Sequence, residues 1–178
     1  MSTGHLVQVA VFAALIGALG LLPPIPLGFT PVPITLQTLG VMLAGLLLGP
    51  TRGALACVVL LLLVAAGLPV LAGGRGGLGV FLGPTAGFLW AWPLGALVAG
   101  SCVPRGVGVR FWRALLGAVI GGIVVVYLGG VAWLATAGGL GWDRATLTTL
   151  AFLPGDVVKA ALAASAAVSV SRALPPLR

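Results

Sequence analysis

Four stretches of this 178-residue chain contain no Asp, Glu, Lys or Arg: residues 1 to 51, 53 to 74, 76 to 104 and 114 to 142. Each is long enough to hold the ~20 apolar residues that cross a bilayer as a helix. The apolar runs are continuous, whereas a lipid-facing barrel strand alternates apolar and polar residues over ~10 positions. Charged residues make up 6% of the chain, against about 25% in soluble domains, so no water-facing surface can be assembled from it. The expectation is an all-α integral membrane protein.

Hydropathy, punctuated by Pro, Gly and Arg, predicts spans near 6–22, 34–49, 53–71, 84–103, 113–137 and 152–171. Six spans use about 120 residues, which leaves no room for a large soluble domain and makes residues 1–178 a single transmembrane domain. Leu6 to Leu22 is apolar enough for the core of a signal peptide, but the preceding MSTGH lacks Lys and Arg, so it is read as the first span. The link GPTR is short enough to force spans two and three into an antiparallel pair.

The formal charge of +7 comes from cations scattered singly through apolar sequence, which argues against a nucleic-acid-binding patch. His5 is the single histidine, and Cys57 and Cys102 stand alone, so neither metal-ligand spacing nor a disulfide framework is present. With both termini cytoplasmic, Arg52, Arg105, Arg110, Arg113, Arg172 and Arg178 collect inside and Arg75 and Arg144 outside. The loops near 23–33, 72–83 and 138–151 then face outward, with the start of the last span beside them.

Two of those loops have unusual composition. PPIPLGFTPVP holds five prolines with Gly28 at its tip, a stiff segment able to fold over a site. LAGGRGGLGVFLGPT holds six glycines, among them Gly73 and Gly74, and ends on Thr85. Glycines let backbone approach a ligand closely but also serve simple turns between membrane helices.

Asp156 and Lys159 form the strongest single signal, because a charge inside a span is costly and faces the protein interior. Their spacing stacks both on one face of a helix, and Pro154 suits the first turn of that helix. Asp156 either caps the helix N-terminus with Lys159 neutralising it, or accepts hydrogen bonds from a ligand. Arg75 supplies an external cation for an anionic group or for lipid phosphate. One carboxylate and two cations at the mouth of an apolar bundle suit a small ligand with hydrogen-bond donors at one end and a carboxylate at the other.

Thr35, Gln37 and Thr38 lie at the start of the second span, where the Gln37 amide serves either a ligand or a neighbouring helix. Phe29, Phe81, Phe88, Trp90 and Trp92 cluster near the outer loops, to pack a ligand or to anchor at the headgroups. Ala10, Ala14 and Ala18 form a small-residue stripe for close helix approach, either by an internal neighbour or by a separate subunit.

The segments PVPITLQTLGVMLAGLLLGPTRGALA, AAGLPVLAGGRGGLGVFLGPTAGFL and FLPGDVVKAALAA closely resemble the BioY family, the biotin-binding membrane subunits of energy-coupling factor (ECF) transporters. Roughly half the chain carries the resemblance. It implies a six-helix S-component of the bacterial plasma membrane that captures external biotin and docks onto a transmembrane coupling subunit with two ATPases. It also implies that Ala10, Ala14 and Ala18 face the coupling subunit, and that Asp156, Lys159 and the Gly73–Gly76 loop line the biotin site. Some members carry an asparagine in that loop, whereas this chain has none. The resulting division of labour has Asp156 accepting from a ureido N–H, Lys159 completing the polar contact and Arg75 meeting the valerate carboxylate.

The one lysine does not lie in a GxxxxGK loop, so the chain is not the ATPase. A stand-alone biotin facilitator, or an S-component for another small vitamin-like carboxylate, is the alternative. No cofactor or metal is expected. An enzyme would need a nucleophile beside a base, which Ser165 and Ser169 lack, and a pure scaffold leaves the burial of Asp156 and Lys159 without a purpose beyond packing.

Overall fold

A computed structural model describes residues 2–30, 32–103 and 108–173. Arg105 and Arg178 of the inside-charge expectation, and Pro31 of the outer loop, lie outside the described residues. Helices are α1 (Thr3–Gly20), α2 (Gln37–Leu48), α3 (Pro50–Ala65), α4 (Ala86–Ser101), α5 (Phe111–Ala135), α6 (Trp142–Leu150) and α7 (Leu153–Ala173). Among the described residues the only β pairing is two isolated bridges, Ile25 with Ile34 and Leu71 with Arg75. By length and composition α1, α5 and α7 can each cross a bilayer, and α2, α3 and α4 are shorter apolar helices. The six form a membrane bundle in which α4 packs against α2, α3 and α5, α1 against α2 and α3, and α7 against α2 and α5.

Several boundaries differ from hydropathy. Helix α2 begins at Gln37, because Ile34 is paired with Ile25 in both directions, at 2.9 and 3.0 Å. Residues 32–36 thus precede the helix, and Val32 to Thr35 line a cavity instead of continuing it. Helices α2 and α3 are separated by Gly49 alone, whose φ of 83° is open to glycine, and Pro50 starts α3. At its far end α3 stops at Ala65. Gly67 N–H donates to Val64 O, Leu68 N–H donates to Leu63 O, and Gly67 has φ 104°, a Schellman stop that satisfies the last carbonyls. A hydropathy sum continues through Gly67–Leu71 because it does not register such a stop.

Helix α6 lies where an external loop is expected, at 138–151. Its sequence, WDRATLTTL, is too short and polar to register as apolar, yet Ala145, Thr148 and Thr149 are buried on one face and Leu147 is exposed on the other. Within α5, residues Ala118–Val125 widen into a π-helical segment. This changes the phase of the residues that follow relative to an uninterrupted α-helix.

Candidate functional site

Asp156, in the first turn of α7, is 3% exposed and makes all its recorded side-chain bonds to other side chains rather than to helix N–H groups. It therefore does not act as a cap. Its Oδ1 accepts from Lys159 Nζ at 2.7 Å and from Thr38 Oγ1 at 3.1 Å, and its Oδ2 accepts from Tyr127 OH at 2.7 Å. Lys159 Nζ also donates to the Thr35 carbonyl at 2.6 Å and to Thr38 Oγ1 at 3.2 Å. An ammonium has three donors, so all three are occupied within the protein. A buried ion pair is stable only when its remaining lone pairs and protons are satisfied, and this network does so by joining α2, α5 and α7.

These groups form one wall of a cavity that opens to the outside of the bundle. Phe88, Leu89, Trp92, Val126 and Phe152 supply its apolar surface. Arg75 and Thr85 also border it, and Thr85 is buried. Arg75 donates Nε–H to the Ala72 carbonyl at 3.1 Å, and its terminal nitrogens have no partner among the described residues. Burial pushes this guanidinium below its ordinary pKa, a penalty that an anionic partner relieves.

Gln37 borders the cavity, but its amide is occupied by backbone: Oε1 accepts from Ala72 N–H at 3.1 Å, and Nε2 donates to Ile16 O at 3.3 Å and Val70 O at 3.2 Å. It ties α1, α2 and the loop after α3 together, which is the neighbouring-helix alternative. A Cβ on Gly20 would overlap Val70 O and the Gln37 amide, so glycine permits this junction. Gly73 and Gly74, with φ 78° and 70°, do not border the cavity; they form the tight turn from Leu71 that presents Arg75. Thr35 contributes its carbonyl to Lys159.

The outer aromatics divide. Phe29 and Trp90 are exposed, whereas Phe88 and Trp92 are buried against the cavity and Phe81 is buried beside Trp90. Ala10, Ala14 and Ala18 are exposed, so no internal helix covers them; the buried face of α1 is Val9, Ala13, Ile16, Gly17 and Gly20. Tyr127, which is absent from the sequence expectations, belongs to the polar network. As the chain's single tyrosine, set within an apolar span, it offers a faint signal. No group of three or more His, Cys, Asp or Glu converges among the described residues.

Fold and site together define a membrane-embedded small-molecule-binding protein, with a polar cluster deep in an apolar cavity. The chain belongs to the BioY family, which it matches over residues 1–176. It is 55% identical to the biotin transporter BioY of Rhizobium etli over 100% of both chains. It is 49% identical to the biotin transporter BioY of Rhodobacter capsulatus over 94% of this chain and 93% of that one. Its fold is similar to the crystal structure of the S-component for biotin from an ECF-type ABC transporter, with a TM-score of 0.88 and 33% identity over 99% of this chain and 96% of that one.

Proposed function

We propose that this chain is the biotin-capturing S-component of an ECF-type transporter. The observation that carries the reading is the Asp156 carboxyl group held in an apolar cavity by Lys159, Thr38 and Tyr127, with Oδ2 keeping acceptor capacity beyond its one bond to tyrosine. A ureido N–H supplies the missing donor. The terminal nitrogens of Arg75, which also borders the cavity, are available to a valerate carboxylate, and the thiophane ring and methylene chain suit its apolar surface. Lys159 acts here by holding Asp156 and Thr38 in place, since its own protons are occupied.

The whole chain forms a single transmembrane domain in the bacterial plasma membrane, with both termini cytoplasmic. The exposed stripe of Ala10, Ala14 and Ala18 serves the transmembrane coupling subunit, and two ATPases supply the energy. Calorimetric titration of the detergent-solubilised, ligand-free chain tests the reading. One-to-one binding of biotin, with no binding of thiamine or riboflavin, is expected; a folded sample that ignores biotin would refute it.

A further inference from the structure

Trp92 of α4 is 4% exposed and lines the cavity, and its Nε1 is the one buried side-chain nitrogen or oxygen among the described residues without a hydrogen-bond partner. A buried indole N–H ordinarily finds an acceptor. Apart from the Arg75 terminal nitrogens, the donors bonded elsewhere in the cavity are satisfied internally: the protons of Lys159, the hydroxyls of Tyr127 and Thr38, and the Gln37 amide. The indole N–H differs from the threonine hydroxyls of the cavity because it donates only, in a direction fixed by the packed ring.

The depth of Trp92 follows from how α4 crosses α5. A Cβ on Gly129 would stand 2.7 Å from Ala91 Cβ, and one on Gly95 would stand 2.7 Å from Gly121 O and 3.0 Å from Val126 Cγ2. Trp92 lies between Ala91 and Gly95, so it shares the layer of Tyr127, whose hydroxyl meets Asp156 at 2.7 Å. The unpaired donor and the acceptor carboxylate therefore stand at the same end of the cavity. A ligand headgroup seated there can donate to one and accept from the other. Leu89, Val126 and Phe88, which line the cavity with the indole, make a poor setting for a carboxylate, which leaves a neutral acceptor.

We infer that Trp92 is a specificity-determining residue whose N–H donates to the ureido carbonyl oxygen while Asp156 accepts from the ureido N–H. This rests on the biotin reading above. It selects cyclic ureas, which present donor and acceptor on one ring, over ligands that offer donors alone.

The test is titration of the solubilised full chain and its Trp92→Phe variant with biotin and with dethiobiotin, which keeps the ureido ring and lacks the sulfur. Wild-type chain that binds neither overturns the biotin reading and this inference together. Given wild-type binding, the variant is expected to lose about three- to tenfold in affinity for both ligands alike, as one neutral hydrogen bond predicts. Benzothienylalanine at this position should show the same loss of affinity. Unchanged affinity of the Trp92→Phe variant, a loss confined to biotin, or an affinity restored by benzothienylalanine would overturn the inference alone. That residue keeps the bicyclic shape and replaces the N–H with sulfur, so it separates the bond from the packing.

Discussion

Tyr127 OH donates to Asp156 Oδ2 at 2.7 Å, fastening the C-terminal half of α5 to the first turn of α7. The tyrosine is the second residue after the π-helical segment, whose altered phase sets which face of α5 the residues after it occupy. Its hydroxyl and the Lys159 ammonium approach different oxygens of one carboxylate, and this fixes the direction left for a ligand donor.

Replacing Tyr127 with Phe removes one bond to a charged acceptor while keeping the ring. Bonds of this kind contribute about 1.5–3 kcal/mol, so biotin binding should weaken by about tenfold or more. Titration against biotin checks this, and an unchanged affinity would remove the hydroxyl from the site.

Asp156→Asn should likewise weaken biotin about tenfold or more, through loss of the charged acceptor. Lys159→Met acts differently. It strands a buried carboxylate, which costs about 3–5 kcal/mol of stability, and the double variant Asp156→Asn with Lys159→Met should recover part of that without recovering binding. Thermal unfolding of the ligand-free variants in detergent, beside titration, separates the two roles.

Arg75→Gln should weaken biotin by about tenfold, in line with one charge-assisted contact, and leave the affinity for biotin methyl ester nearly unchanged. An equal loss for the acid and the ester would show that Arg75 shapes the loop rather than meeting the carboxylate.

Ala14→Leu on the exposed stripe of α1 should leave biotin binding by the isolated chain intact, because Ala14 touches no part of the cavity. Biotin uptake by cells that carry the coupling subunit and ATPases should fall sharply. Uptake equal to wild type would place the coupling surface elsewhere.

Gln37 and Trp92 illustrate how far one-dimensional reading reaches at the site. Both are visible as polar-capable residues near the outer loops. Yet the Gln37 amide is occupied by Ile16, Val70 and Ala72, whereas the Trp92 N–H has no partner. Nothing in either local sequence distinguishes the two outcomes, because each depends on which backbone segment packs alongside.

Membrane insertion, the helical class and the importance of Asp156 and Lys159 are local properties. They follow from the cost of charge in apolar surroundings, which sums along the chain and is legible without coordinates. The helix stop at Ala65, the nine-residue α6 and the exposure of Ala10, Ala14 and Ala18 depend on backbone hydrogen bonds and neighbours that hydropathy does not register. The site itself is assembled across distance: Thr38 lies 118 positions from Asp156 and Tyr127 lies 29. Hydrogen bonds act over about 3 Å and require alignment, so their partners are set by how helices cross and in what phase, and only the folded bundle supplies both.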